Sequence, residues 1–317
     1  MTGSIPRSDH FDGRRFHNPT GPLPKPFTAV PRLMLERGEP WPRWVNVSVT
    51  TPPARDGEAA CVTFVGHATF LIQTAAATIL TDPMYSMRAG PWNRLGPRRV
   101  RPPAVALADL PPIDVVLLSH NHYDHCDLRT LRMLARRDDP LVVTLLGNRR
   151  LVQSSGIRRV EELDWWQTSR RAPLPVTATP AHHFSARHPF DRNRALWGGF
   201  VVEVEGRRIY FAGDTAYTDL FRQVRARLGA PDLALVPIGA YAPRWFMHAV
   251  HMNPAEAVQA HVDLAAAESV AMHYGTFPLT IEPIDEPVRA LADALQARGL
   301  PSSAFRAIDH GASLRIA

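Results

Sequence analysis

The sequence predicts an α/β protein built in layers, and two patterns support this. From Cys61 onward, apolar segments of strand length recur, some continuous and some alternating with polar residues. Several are followed by stretches with apolar residues at helical spacing. In IDVVLLSH followed by DLRTLRMLARR, the residues Leu128, Leu131 and Leu134 share one helical face. Mixed strands with helices outside them favour one layered α/β domain.

The remaining elements follow from the same periodicities and from helix end signals. Asn253, Pro254 and Glu256 give an N-cap, a first-turn proline and an N3 acid in the expected order. Pro287 opens another predicted helix, which stops at Gly299. TDLFRQVRARLG has apolar residues on one helical face. Further strands are predicted in CVTFVGHATFLIQ, ATILTDP, LVVTLL, PVTATP, WGGFVVEV, RRIYFAG, DLALVP and ESVAMH.

The first part of the chain differs in composition from the rest. Residues 1–60 are rich in Pro, Arg and Gly, and we expect them to form an extended arm that packs on the body, with Trp41 and Trp44 as anchors. Residues 61–317 are expected to form a single domain. Within it, residues 85–112 are predicted to be a long loop across the surface.

Charge and cysteine content limit the class of protein. The formal net charge is +6, the pI is near 9.9, and Lys25 is the only lysine, so a phosphate-bearing substrate, an anionic membrane and nucleic acid all remain open. Cys61 and Cys126 are predicted to be free thiols in a reducing interior. We find no export signal and no uncharged apolar stretch of the ~18 to 20 residues that a spanning helix needs. A cytoplasmic protein, peripheral to a membrane at most, is expected.

A cluster of histidines and aspartates follows the predicted strand IDVVLLSH. In HNHYDH, His120 and His122 point to the same side if the backbone is extended, while Asp124 and His125 turn into the following loop. This stretch could supply two ligands to each of two metal ions. The alternative is a helix N-terminus capped by Asp124 with exposed histidines, which leaves the other polar groups at strand ends unexplained.

Those other groups also stand directly after predicted strands. His182 and His183 follow PVTATP, Asp214 follows RRIYFAG, and His273 follows ESVAMH. Each one alone is an ordinary polar residue at a strand end. Because loops at one edge of a sheet converge on a pocket, the set predicts a shared site.

The order H-x-H-x-D-H, His, Asp, His resembles that of the metallo-β-lactamase superfamily. The segments VGHATFLIQ, LTDP, LSHNHYDHCD, FDRNRALWGGF, FAGDTAY, PIGAYAPRWFMHAVHMNP and HYGTF resemble its N-acylphosphatidylethanolamine-hydrolysing phospholipase D branch, from about Cys61 to the C-terminus. The resemblance implies a four-layer αββα fold with two mixed sheets between helices. It also implies a zinc-dependent phosphodiesterase that uses a hydroxide between two metals to release phosphatidic acid and N-acylethanolamine.

The same resemblance implies a complete ligand set for two Zn²⁺ ions, although iron or manganese would also suit these donors. Asp124 and Asp214 are implied to act in catalysis as well as in binding. One ion is implied to take His120, His122 and His183, the other Asp124, His125 and His273, with Asp214 bridging them.

Further residues are expected to contact the substrate or to support the ligands. The resemblance places His251 near the substrate phosphate as a catalytic residue, and Arg244 is a candidate phosphate contact. His67 and Asp82 are candidates to hold the free ring N–H of a metal ligand, as metal-bound histidines require. For His67, simple packing beside the preceding glycine is an equal alternative. His182 either supports the site or has no role in it.

Three other interpretations are open. The same metal core could act on another substrate, such as a small phosphodiester or a sugar-phosphate lactone. A metal-containing scaffold without turnover is disfavoured because all seven ligand positions are filled. A nucleic-acid-binding module is disfavoured because the sequence contains no nucleic-acid-reading motif. Two features have alternative roles: the Arg-rich stretch 88–101 as a solvated loop or an anionic-lipid contact, and Cys126 as a buried or an oxidation-sensitive thiol.

Overall fold

Two mixed β-sheets form the centre of the protein. The computed structural model describes residues 5–33, 35–54, 59–188 and 190–316, so expectations for the remaining positions lie outside the described residues. The strands, in chain order, are β1 (Ala60–Gly66), β2 (Thr69–Gln73), β3 (Thr78–Thr81), β4 (Val115–Leu118), β5 (Leu141–Leu145), β6 (Val160–Leu163), β7 (Val176–Thr179), β8 (Gly199–Val204), β9 (Arg207–Phe211), β10 (Leu233–Pro237), β11 (Glu268–Met272), β12 (Phe305–Arg306) and β13 (Ser313–Ile316).

Each sheet has an antiparallel part and a parallel part. The first sheet has the order β13-β1-β2-β3-β4-β5-β6, antiparallel as far as β3 and parallel from β3 to β6. The second has the order β12-β11-β10-β9-β8-β7, parallel from β12 to β9 and antiparallel from β9 to β7. Because parallel strands present their carboxyl ends at the same edge, residues that follow these strands gather there.

Helices cover the outer faces of both sheets. They are α1 (Val30–Leu33), α2 (Leu128–Arg137), α3 (Arg149–Gln153), α4 (Leu220–Leu228), α5 (Arg244–Met247), α6 (Pro254–Leu264) and α7 (Glu286–Ala297). Helix α2 packs on the first sheet, and α6 packs on β10 while contacting both α4 and α7. This arrangement confirms the predicted αββα layers. Among the described residues, no helix is long and apolar enough to cross a bilayer.

Strand β4 shows why its sequence is continuously apolar. Val115 and Leu117 belong to the main core cluster, which also contains Phe200 from the second sheet. Val116 belongs to a second cluster, together with Leu131 of α2. Both faces of the strand are therefore buried, as expected for the parallel part of a sheet covered by helices.

The helix starts follow local capping chemistry. Asn253 accepts a hydrogen bond from the backbone N–H of Glu256, whose side chain accepts one from the Asn253 N–H. The predicted start of α6 is thus confirmed, and α7 begins at Glu286, one residue before the predicted position. The side chain that caps α2 is Asp127, so the interpretation of Asp124 as a helix cap is wrong.

The segment before β1 lies against the body. Phe16 is 1% exposed, and its N–H donates a 2.8 Å hydrogen bond to the carbonyl of Asn193. The Trp41 indole donates a 2.8 Å hydrogen bond to the carbonyl of Glu282. Trp44 is 43% exposed and does not act as a buried anchor. Strand β1 begins one residue before the expected boundary, and the division into residues 1–60 and 61–317 stays a prediction.

The predicted surface loop of residues 85–112 is buried in part. The Arg99 side chain is 1% exposed and donates hydrogen bonds to the carbonyls of Met84 and Ser86. Its guanidinium lies 4.8 Å from the ring centroid of Phe277. Burial lowers the pKa of Arg99 to about 10, so the group stays charged at neutral pH. The expectation of a surface position is wrong for this part of the loop.

Candidate metal centre

The site forms where the ends of strands from both sheets meet. Asp82 follows β3 and His120 follows β4 in the first sheet. His183, Asp214 and His273 follow β7, β9 and β11 in the second sheet. All five side chains are buried. The structure thus brings together residues that are up to about two hundred positions apart in sequence, as strand-edge convergence predicts.

Three histidines and one aspartate form the first group of potential ligands. Atoms from His120, His122, His183 and Asp214 all lie within 4.8 Å of one another. The Nδ1 of His122 lies 2.8 Å from Nε2 of His120 and 3.2 Å from Nε2 of His183. Burial lowers the pKa of His122 to about 3 and that of His183 to about 4. These imidazoles are therefore neutral, which is the form that binds a metal ion.

The second group lies beside the first. It consists of Asp124, His125, His273 and His67, with ligand atoms again within 4.8 Å of one another. The Oδ2 of Asp124 is 3.5 Å from Nε2 of His125 and 3.3 Å from Nε2 of His273. Burial acts to raise the pKa of Asp124, but the neighbouring His125 outweighs it and the pKa is well below its usual range.

Asp214 lies between the two groups. Its Oδ2 is 3.1 Å from Nε2 of both His125 and His273. The same oxygen is 3.9 Å from Nε2 of His120 and 3.8 Å from Nε2 of His183. A carboxylate in this position can reach an ion in either group, so the geometry agrees with the bridging role that the resemblance implies.

Several buried polar atoms in the site make no aligned hydrogen bond with any described residue, although Oδ2 of Asp214 lies 3.1 Å from two of them. They include Nε2 of His125, Nε2 of His273 and Oδ1 of Asp214. Such an atom costs ~1 to 3 kcal/mol when left unsatisfied. Burial acts to lower the pKa of His273, yet the carboxylates of Asp214 and Asp124 outweigh it and raise the pKa to about 9. The cluster therefore attracts positive charge, and its donor atoms fit metal ions such as zinc, iron or manganese.

A carboxylate and a hydroxyl contact the Nδ1 atoms of two of these histidines, on the side of each ring opposite Nε2. The Nδ1 of His125 lies 2.6 Å from Oδ2 of Asp82. The Ser119 hydroxyl donates a 2.5 Å hydrogen bond to the same carboxylate and lies 2.9 Å from Nδ1 of His120. Acceptors of this kind fix the ring orientation of metal-binding histidines. Asp82 was expected here from the sequence, whereas Ser119 was not.

The other two candidate supports have different positions. The Nε2 of His67 lies 3.1 Å from Oδ2 of Asp124, and the His67 carbonyl accepts a 2.8 Å hydrogen bond from the His273 N–H. His182 lies outside the potential ligand groups among the described residues. Its Nδ1 is 3.1 Å from the carbonyl of Ala249, and its backbone N–H donates a 2.9 Å hydrogen bond to the Thr215 hydroxyl.

His251 and Arg244 were expected to contact the substrate. The His251 ring centroid lies 5.0 Å from that of His183 and 5.3 Å from that of His273. Its Nδ1 has no hydrogen-bond partner in the part of the chain that the structure describes. Arg244 donates a 2.8 Å hydrogen bond to the His251 carbonyl and forms a 2.8 Å ion pair with Glu256. Arg244 therefore supports the backbone of His251, and a substrate contact would compete with its ion pair.

A cavity of about 370 Å³ lies next to the site. Phe184, Phe246 and Val250 line it with apolar surface, and Lys25 and Arg192 add positive charge. The Phe184 ring centroid is 4.5 Å from that of His122, and the Val250 carbonyl lies 2.9 Å from Nδ1 of His183. The cavity thus shares two of its walls with the potential ligand groups.

Comparisons with known proteins agree with this geometry. A family model described as a beta-lactamase superfamily domain matches residues 77–274. The chain is 38% identical over 262 residues to the N-acyl-phosphatidylethanolamine-hydrolyzing phospholipase D 1 of Caenorhabditis elegans, covering 78% of this chain and 74% of that protein. It is 36% identical over 222 residues to a metal-dependent hydrolase of Rubrobacter xylanophilus, covering 68% of this chain and 82% of that protein.

Solved structures show the same fold. The metallo hydrolase Igni18 from the archaeon Ignicoccus hospitalis superposes with a TM-score of 0.61 at 22% identity, covering 82% of this chain and 99% of that one. The matched family model, these relatives and the shared fold lead to one conclusion. This chain belongs to the metallo-β-lactamase superfamily and is one of its metal-dependent hydrolases.

Proposed function

We propose that the protein hydrolyses the phosphodiester of N-acylphosphatidylethanolamine-like phospholipids to phosphatidic acid and an N-acylethanolamine. The main support is the 38% identity to the C. elegans phospholipase D, which extends over about three quarters of both chains. The apolar cavity beside the metal centre adds a second, structural support, because a lipid substrate needs such a surface for an acyl chain.

In this proposal the two ligand groups hold two metal ions. Bound metal ions polarise a phosphoryl oxygen and activate water at neutral pH. Asp214 Oδ2 lies within 3.9 Å of nitrogen atoms from both groups, so this residue joins the two halves of the centre. The proposed ligands are His120, His122 and His183 in one half, Asp124, His125 and His273 in the other, and Asp214 in both.

The remaining residues bind and orient the substrate. His251 lies beside both groups, and we assign its Nδ1, which has no hydrogen-bond partner among the described residues, to bind the phosphate. Phe184 and Phe246 would bind acyl chain, while Lys25 and Arg192 add positive charge near the phosphate. In the reaction, the oxygen of water bonds to phosphorus while the bond from phosphorus to the ethanolamine oxygen breaks, and the alcohol leaves with a proton.

Product analysis tests the proposal. Metal-loaded protein is incubated with N-acylphosphatidylethanolamine in mixed micelles, and lipids are identified by mass spectrometry. We expect phosphatidic acid and N-acylethanolamine in equal amounts, with isotopically labelled water entering the phosphatidic acid. Hydrolysis of bis-p-nitrophenyl phosphate or of a sugar-phosphate lactone without lipid turnover would refute the phospholipid substrate. It would indicate a small phosphodiester or a lactone as the substrate instead.

A cavity variant separates lipid binding from chemistry. Phe246→Ser should lower kcat/KM for the lipid about 10- to 150-fold, because binding a large apolar group contributes ~1.5 to 3 kcal/mol. Turnover of bis-p-nitrophenyl phosphate should not change. Leu35→Ser is the control, since Leu35 is 81% exposed and lies outside the cavity.

A further inference from the structure

A loop near the metal centre exposes large apolar side chains. In the 87–98 loop, Trp92 is 82% exposed, Leu95 is 55% exposed and Met87 is 41% exposed. Neighbouring exposed apolar residues of this size are unusual unless they contact a partner or a membrane. The metal centre itself does not use these three side chains.

The backbone of the loop holds these side chains outward. Arg88 and Arg98 pair as an antiparallel bridge at its base. A Cβ on either Gly90 or Gly96 would lie within 2.3 Å of a backbone carbonyl oxygen across the loop, so only glycine permits this close approach. Trp92 has φ 54, a conformation that is rare for a bulky residue. The loop therefore closes tightly through Gly90 and Gly96, with the exposed Trp92 between them.

The loop is attached to residues around the metal centre. Asn93 donates a 3.1 Å hydrogen bond to Oδ1 of Asp127, which caps the helix after the histidine cluster. Ala89 packs in a small apolar cluster with Phe277, whose ring centroid is 5.2 Å from that of His67. One layer of side chains thus separates the loop from the second ligand group.

The charged residues of the loop itself all carry positive charge. Residues 83–108 contain five arginines and no aspartate or glutamate. Arg94 and Arg98 are exposed beside Trp92 and Leu95, and Arg88 is half-buried and donates a 2.8 Å hydrogen bond to the Gly96 carbonyl. Tryptophan and arginine together are typical of surfaces that enter the headgroup region of an anionic bilayer.

We propose that the 87–98 loop docks the protein on an anionic lipid bilayer. Trp92 and Leu95 enter the headgroup region, and Arg94 and Arg98 pair with lipid phosphates. The inference rests on the proposed phospholipid substrate, because docking through this loop brings the metal centre close to the bilayer that contains the substrate. A second copy of the chain fits less well, since a two-fold contact through the same patch would place arginines against each other.

Vesicle co-sedimentation without substrate tests the docking. Vesicles of phosphatidylcholine alone are compared with vesicles that also contain phosphatidylglycerol. We expect binding to the anionic vesicles and a loss of about fivefold for Arg94→Gln, from the ~1 kcal/mol that one basic residue contributes. The double variant Trp92→Ala, Leu95→Ala should lose at least about tenfold. Matched controls are Arg132→Gln on α2 and Trp44→Ala, both exposed and outside the loop.

The outcomes separate the docking from the proposed function. Equal binding of wild type to both kinds of vesicle, or unchanged binding of the loop variants, would overturn the docking proposal. A concentration-dependent dimer that the double variant abolishes, without vesicle binding, would overturn it in favour of self-association. Loss of vesicle binding in the loop variants supports docking even if wild type fails to cleave the N-acyl phospholipid, which would refute the proposed substrate alone. The loop variants should retain turnover of bis-p-nitrophenyl phosphate.

Discussion

The side-chain nitrogen of Asn18 donates a 2.9 Å hydrogen bond to the carbonyl oxygen of His183. The oxygen of the same amide accepts a 3.2 Å hydrogen bond from the indole N–H of Trp197, which is 1% exposed. His183 is one of the proposed metal ligands. A residue from the N-terminal segment therefore fixes the backbone that presents this ligand, and it does so against a buried tryptophan.

Asn18→Ala should weaken metal binding. Removing the amide takes one hydrogen bond from the His183 carbonyl and one from the Trp197 indole. The loss of such supporting contacts typically reduces metal affinity about 10- to 100-fold. Metal affinity is measured by competition with a chelator. Asn46→Ala, at an exposed position of the same segment, should leave affinity unchanged. Equal affinities for wild type and the Asn18 variant would show that this contact does not position the ligand.

Asp82→Ala should also reduce metal affinity. Asp82 accepts hydrogen bonds from the backbone N–H and the hydroxyl of Ser119 and lies 2.6 Å from Nδ1 of His125. Its loss frees two histidine rings, so we expect about 10- to 100-fold weaker binding. Chelator competition is again the readout, with exposed Asp109→Ala as the control. An Asp82 variant with wild-type affinity would contradict the supporting role.

The His10 contact should make stability depend on pH. His10 lies 2.6 Å from Asp9 and 2.7 Å from Asp164. Burial acts to lower its pKa, but the two carboxylates outweigh this and raise the pKa above its ordinary 6.5. When folding raises the pKa of a histidine, its contribution to the free energy of unfolding is fully present at pH values below the unfolded-state pKa. The contribution is lost as the pH rises through the folded-state pKa. This contribution is therefore complete in mild acid and absent in alkali.

His10→Gln tests that dependence. The variant should be less stable than wild type by about 0.5 to 1 kcal/mol in mild acid, the magnitude of a partly exposed ion pair, and the difference should shrink above neutral pH. Urea unfolding at several pH values measures it. Exposed His17→Gln is the control. A stability difference that does not vary with pH would show that the ion pairs of His10 contribute nothing.

Leu131→Ala should destabilise the first sheet and its helix. Leu131 lies on the face of α2 that packs on the first sheet, and it is fully buried in a cluster with Val116 and Leu118. Truncation of a buried leucine costs about 2 to 5 kcal/mol because it leaves a cavity. Met133→Ala on the same helix, where Met133 is 43% exposed, should change the free energy of unfolding by less than about 0.5 kcal/mol. Similar losses in both variants would contradict the packing described for α2.

The sequence was most informative where chemistry and periodicity coincide. The cluster of His120, His122, Asp124 and His125 stands directly after an apolar strand, and strand-edge convergence anticipated its proximity to His273. The start of α6 was predictable because capping depends on residues within one turn. These predictions needed information from neighbouring residues, or from one general rule of sheet topology.

Long-range partners could not be predicted in this way. Asn18 and His183 meet although 165 positions separate them, and no local pattern marks an asparagine as a support. Arg244 was a candidate phosphate contact, and the sequence did not show that the fold pairs it with Glu256. Strand β13 was missed because its pairing with β1 joins the two ends of the domain.

Metal content and lipid turnover, measured together in wild type and Asp214→Ala, test whether the buried histidines and aspartates form a metal centre that cleaves a phospholipid. We expect about two metal ions per wild-type chain, cleavage of N-acylphosphatidylethanolamine, and loss of both occupancy and turnover in the variant, because Asp214 contacts both ligand groups. Asp219→Ala, at an exposed position, is the control. A wild-type protein without bound metal, or an Asp214 variant that keeps metal and turnover, would contradict the account.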